Sequence, residues 1–214
     1  MKRITITGIL LAMVAGACLY EASAQTAVTL TGTSYTNAFD NLTTEGFPPA
    51  EWATRTAASA TAVGTIYAWN TANSSPTNYW ALTSGRFANQ ASAYSYGSAY
   101  SGATNFVGTE SRQIQTNEPN RCMALRQTSS VGDPGGAFCF KIAETANRKD
   151  FHFYVDLLNL DTAPTRTTVW TVDYGLGDTP SSFVPVATWT NTPLIFTRYA
   201  TNITFPNGTI DNIA

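Results

Sequence analysis

The chain has 214 residues, with 12 Lys and Arg against 14 Asp and Glu and a formal net charge of −2. Charged residues are only 12% of it, about half the share of an ordinary soluble domain, and the cations are scattered, so no basic stripe exists to neutralise phosphates and nucleic acid is excluded as a partner. Thr, Ser, Asn and Ala fill the gap; β-branched Thr suits a half-buried pleated surface, and the Glu, Lys, Gln and Leu runs of long helices are nearly lacking, which predicts an all-β protein.

Residues 1–24 read as a secretory signal peptide. Lys2 and Arg3 form a basic n-region, Ile4 to Ala17 is mainly apolar, and Ala22-Ser23-Ala24 is an A-x-A cleavage signature that leaves Gln25 as the first mature residue. The apolar run is shorter than the roughly 20 residues of a membrane span, which disfavours an N-terminal anchor. Cys18 raises a lipoprotein alternative, but Ala15 is a poor substitute for the usual Leu three residues earlier. The mature chain is therefore expected to be secreted or held at the cell surface, with no membrane span. Its length of about 190 residues suits one domain, 25–214, with a sizeable core.

Period-2 alternation then recurs at short spacing with turn signals between, the pattern of a β-sandwich or barrel. Strands are predicted over 35–41, 52–57, 65–70, 86–89, 122–127, 137–143, 151–158, 167–174, 183–190 and 194–199. Residues 90–118 are small, polar and aromatic, and read as a long loop or an irregular edge hairpin. Ile203 and Phe205 open a further alternation that stops at Ala214, which predicts a sandwich incomplete at its C-terminus.

Cys122 and Cys139 are an even pair in an exported chain, which points to a disulfide. Met123 and Leu125 form the apolar face of one strand, and Phe138, Phe140 and Ile142 that of the next, so both cysteines fall on the more polar face. The turn-rich stretch 129–136 between them predicts a hairpin with Cys122 opposite Cys139.

Phe39-Asp40-Asn41, Gly46-Phe47-Pro48-Pro49-Ala50-Glu51-Trp52, Gly85-Arg86-Phe87-Ala88-Asn89 and Ala124-Leu125-Arg126-Gln127-Thr128 stand in that order. Gly132-Asp133-Pro134-Gly135-Gly136-Ala137-Phe138 and Trp170-Thr171-Val172-Asp173-Tyr174-Gly175-Leu176-Gly177 follow them. Over roughly 34–205 this order resembles a family of secreted bacterial jelly-roll modules that often precede PEP-CTERM or type IX sorting tails. The resemblance implies an antiparallel β-sandwich of jelly-roll topology, lectin-like, with no established activity and no catalytic residues to carry over. Family members usually continue with a further strand pair that this chain lacks.

Enzyme chemistry has little support. No Glu-x-Asp pair is present to place two carboxylates on one strand face, and Asp156 and Asp173 would meet only if their strands were neighbours. G-x-S-x-G does not occur. His152 is the only histidine; flanked by inward Phe151 and Phe153, it faces outward and is expected to make a cross-strand polar contact. Sugar binding has more support, because rings stack on the C–H face of a pyranose while Asn, Ser and Thr satisfy its hydroxyls. Trp69, Tyr79, Trp80, Tyr94 and Tyr96 are the candidate ligand-binding residues, although the same rings suit core packing equally well. Asp40, Asn41, Asp133 and Asp161 are weak candidates for a structural calcium ion, without the spacing of a calcium loop. The expectation is an exported non-catalytic surface or carbohydrate-binding module, with polysaccharide or cell-surface matrix as its partner. The alternatives are an adhesive domain for cell-surface matrix and, with little support, a degenerate hydrolase.

Overall fold

The computed structural model describes residues 25–42, 48–67, 86–91, 119, 121–127, 135–159, 167–191 and 197–206. Among these residues the chain is built from β-strands, with one 3-10 turn at Asp40–Leu42 and no α-helix. The strands are β1 (Trp52–Thr56), β2 (Thr65–Ile66), β3 (Arg86–Ala91), β4 (Arg121–Arg126), β5 (Ala137–Phe140), β6 (Phe151–Leu157), β7 (Thr168–Tyr174), β8 (Val184–Asn191) and β9 (Thr197–Ile203). Every ladder between them is antiparallel: β2-β1-β5, β3-β4, β6-β9 and β7-β8. The all-β reading from composition and alternation therefore holds. Residues 1–24, where a signal peptide is expected, and the stretch 207–214 lie outside the described residues.

Three expectations are corrected. The strands of Cys122 and Cys139 do not form a hairpin: β4 pairs with β3, which sets Cys122 opposite Gln90, and β5 pairs with β1, which sets Cys139 opposite Ala53. A turn-rich connection of this length does not dictate register as a two-residue turn does. Packing selects the partner instead, with Trp52 opposite Phe140 and their rings 5.0 Å apart. Residues 35–41 are not a strand. Asn37 Oδ1 accepts the Phe39 N–H at 2.7 Å, Phe39 sits at φ 62°, and the 3-10 turn follows; a short polar side chain outcompetes the ladder for the backbone donor. The last strand lies further along than predicted, because Thr197, Tyr199, Thr201 and Ile203 are the half-buried alternation that matches β6.

The β7–β8 ladder carries a bulge. Val172 opposes Ala187 and Asp173 opposes Pro185, so Val186 is an extra residue. The bulge re-phases the strand and lets Val186 pack on the core cluster of Ile142, Tyr174 and Phe205. Phe151 and Tyr174 meet Phe205 edge-on at 4.9 and 5.0 Å. A second row of rings runs from Tyr67 through Phe87 and Phe138 to Trp170, with centroids 5.7, 5.4 and 6.1 Å apart. Trp189 stacks on Tyr199 at 5.0 Å and faces Phe153 at 6.5 Å. These rings supply buried area and preferred edge or offset contacts in one stroke.

The segment before β1 is laced onto it. Gln25 Nε2 donates to the carbonyls of Glu51 and Cys139 at 2.8 and 2.9 Å, and Gln25 Oε1 accepts from Arg55 at 3.3 Å. Val28 forms a parallel bridge with Ile142.

Candidate functional site

The β6–β9 ribbon brings chemistry to the surface. In β6, Phe151, Phe153, Val155 and Leu157 alternate with His152, Tyr154 and Asp156, and exposure follows the same period. β9 does likewise, with Thr197, Tyr199, Thr201 and Ile203 half-buried and Arg198, Ala200 and Asn202 exposed. Antiparallel register then sets three outward rungs: His152 opposite Asn202, Tyr154 opposite Ala200, and Asp156 opposite Arg198.

Tyr154 is 62% exposed, the most exposed large hydrophobic side chain among the described residues. A methyl group is all that stands directly across from its ring. Both flanking rungs are tied. His152 Nδ1 and Asn202 Oδ1 are 2.6 Å apart, as the outward-facing histidine requires. Arg198 holds Asp156 with two bonds, Nε to Oδ1 at 2.8 Å and Nη2 to Oδ2 at 2.7 Å. The bonds from Arg198 hold the Asp156 carboxyl below the usual carboxylate range against a smaller opposing effect of burial, and the same bonds raise the guanidinium. A bidentate fork is the most geometrically specific ion pair available, so this exposed pair contributes fixed orientation more than stability. The rungs lie about 7 Å on either side of Tyr154, from the strand rise. The result is one aromatic ring on the outward face of the ribbon between two fixed polar couples.

A second polar–aromatic cluster is already spent. The Tyr35 hydroxyl donates to Glu51 Oε1 at 2.5 Å and accepts from Asn37 Nδ2 and Trp52 Nε1, both at 3.2 Å. Its ring packs on Phe140 at 4.7 Å, while Phe39 meets Trp52 at 5.2 Å. With the indole N–H and the phenol engaged internally, this cluster fastens residues 35–39 to β1.

The sugar-binding residues predicted from sequence, Trp69, Tyr79, Trp80, Tyr94 and Tyr96, lie outside the described residues, as do Asp133 and Asp161 and the side chain of Asn41. Asp40 is exposed, and its Oδ1 accepts the Arg121 N–H at 3.3 Å, bracing the 3-10 turn against β4. Among the described residues no three His, Cys, Asp or Glu side chains gather to hold a metal ion. Cys122 and Cys139 are thiols, not joined by a disulfide. Cys139 lies on the polar face but is buried there: the Arg55 side chain hydrogen-bonds its thiol, and Gln25 Nε2 donates to its carbonyl. Burial pushes the Cys122 thiol up to about 12 and the Cys139 thiol up to about 11, with Arg121 and Arg55 opposing weakly. Asp156 and Asp173 are not cross-strand neighbours, since β6 pairs with β9 and β7 with β8.

Sequence reasoning missed Tyr154. Alternation places it outward, but outward position alone does not mark a ligand platform; the mark is Ala200 across from it and the paired groups on both flanks, and these need the register. No protein-family model matches the chain, and comparisons with curated proteins and with solved structures return no match. Among the described residues no helix is long and apolar enough to cross a membrane.

Proposed function

We propose that this chain is an exported, non-catalytic surface module that binds carbohydrate, built as a jelly-roll sandwich of the secreted bacterial kind. The observation that carries the reading is Tyr154, an aromatic ring 62% exposed on a sheet face between hydrogen-bonded polar couples. An exposed ring loses little by being left in water singly, so exposure alone is not the support; the fixed donors and acceptors at both ends are. Such a ring takes the C–H face of a pyranose, and the flanking groups take its hydroxyls. Export rests on the signal peptide at 1–24 and the low charge, and jelly-roll topology on the order of the motifs over 34–205. Asp156 held by Arg198 supports the non-catalytic reading, because a carboxylate held ionised by a cation is a poor general acid. The reading requires no calcium ion.

The adhesive alternative has its own support in Val169, Val184 and Leu176, which are 61%, 47% and 44% exposed on or beside the β7–β8 ribbon. Exposed apolar side chains at both ends of that ribbon would suit a polypeptide partner. An array carrying plant, algal and bacterial polysaccharides beside matrix proteins separates the two readings. Retention on at least one polysaccharide is expected; retention on matrix proteins alone would transfer the function to adhesion.

A further inference from the structure

The Tyr154 face has properties that narrow its ligand beyond carbohydrate in general. All six outward residues of the three rungs are exposed, so among the described residues neither end of the face is walled. The outer rungs are about 13 Å apart, the rise of four strand residues, which exceeds a single pyranose ring. A site for one terminal sugar needs a wall that stops the chain; this face lets it continue in both directions.

Charge narrows the class further. The one cation and the one carboxylate of the face neutralise each other through two short bonds. A uronate or sulfate arriving at Arg198 would displace Asp156 or sit beside it. A hydroxyl meets no such conflict, since a guanidinium has five N–H donors, of which Asp156 takes two, and a carboxylate offers several lone pairs. His152 and Asn202 add further donor and acceptor capacity at the other end. With one ring and one methyl as its apolar content, the face is too small and polar to hold a polypeptide by burial.

We propose that the β6–β9 face binds the interior of a neutral polysaccharide chain, with one pyranose stacked on Tyr154 and neighbouring sugars bonded to the His152–Asn202 and Asp156–Arg198 rungs. This rests on the carbohydrate-binding reading above. It assigns the site to residues that composition and motif did not mark, and it sets the ligand class.

Affinity electrophoresis of the secreted protein tests it, with gels containing mixed-linkage β-glucan, galactomannan or arabinoxylan as neutral probes and polygalacturonate or alginate as anionic ones. At least one neutral gel should retard the wild type, and Tyr154→Ala should weaken that retardation about fivefold or more, by analogy with loss of one aromatic stacking platform. Tyr154→Phe, which keeps the ring face, should stay within about threefold of wild type, because the face does the stacking. An oligosaccharide of the retarding polymer should compete better than its monosaccharide. Because Tyr154 is exposed, both variants should melt with the wild type, so lost binding reports on the site. Neutral retardation that Tyr154→Ala leaves intact would overturn the site while the carbohydrate reading survives. Retardation by anionic gels alone, or equal competition by the monosaccharide, would overturn the ligand class. Retardation by none of the gels would overturn this inference, and a blank polysaccharide array beside it would overturn the reading beneath.

Discussion

Two aspartates on neighbouring ribbons show how opposite environments give opposite pH behaviour. Asp156 is held low by Arg198, so its contribution is whole above the ordinary value of 3.8 and is lost as pH falls through its lower folded value. Asp173, at the β8 bulge, is pushed up by burial, with a hydrogen bond from Thr171 working against the shift. Its folded form holds the proton more tightly than the unfolded chain, so stability falls as pH rises from 3.8 through the raised folded value, and the charged side chain opposes folding at neutral pH. Asp173→Asn is therefore expected to raise the melting temperature at pH 7, with the gain fading in acid and vanishing below 3.8. Thermal melts of both proteins from pH 3 to 7 check this; a variant that melts lower at pH 7 would show that the Thr171 bond outweighs desolvation. Asp173 was legible in the sequence as an isolated carboxylate on a strand, but its cost was not, because desolvation depends on what packs around it.

At the level of elements, the end of β1 is a crossing point of three segments. Ala57 turns the chain at φ 57°, a left-handed conformation that costs an L-residue roughly 1–2 kcal/mol. Gly64 at φ 78° and Gly135 at φ 94° then press on it from the β2 side and the β5 side. A methyl group on Gly64 would stand 2.4 Å from the Thr56 carbonyl, and one on Gly135 would stand 2.5 Å from that of Ala58. The Ala58 N–H donates to the Gly135 carbonyl at 3.0 Å, so the approach is part of the pairing that seats β5 beside β1. Gly135→Ala is expected to lower stability by about 1–3 kcal/mol, since strain and backbone overlap act together. Ala57→Gly should be neutral or stabilising by up to ~1 kcal/mol. Guanidinium midpoints of the two variants measure this, and a Gly135→Ala midpoint at or above wild type would contradict the close approach. The turn-rich composition of 129–136 marked a turn here; that its last residues close on Ala57, far back in the chain, follows from the β1–β5 ladder.

Across the whole molecule, partner choice governs the fate of the thiols. Disulfides are expected where cysteines pair in an oxidising compartment, but β4 and β5 join different ladders and Cys139 is buried. With values of about 12 and about 11, the thiolate fractions at pH 8 are of order one in ten thousand and one in a thousand, and the thiolate is the reactive form. In the native protein Cys122 and Cys139 should thus react very slowly with a thiol reagent at pH 8, and both should titrate once guanidinium is added without reductant. Absence of thiols in guanidinium would show that the protein is oxidised after all. The aromatic rows join the ribbons, as Phe138 links Phe87 on β3 to Trp170 on β7.

The sequence by itself determined the all-β class, the existence of most strands and, for β6, which face is covered. These are local properties: side chains alternate with period two along any strand, and Thr-rich, weakly charged composition suits a pleated surface. It determined His152 as outward and polar for the same reason. Pairing was decided only by the tertiary structure. A strand edge accepts any partner that offers N–H and C=O groups in turn, so the choice falls to packing between segments far apart in sequence. The Tyr154 surface belongs to that second kind. Its rungs join residues separated by 42 and 50 positions, and a shift of one residue in the register would turn His152, Tyr154 and Asp156 against the wrong neighbours. Ala200 stands across from Tyr154 because Val155 and Tyr199, one step away, meet on the covered face, and burial of that face is what holds the register in place.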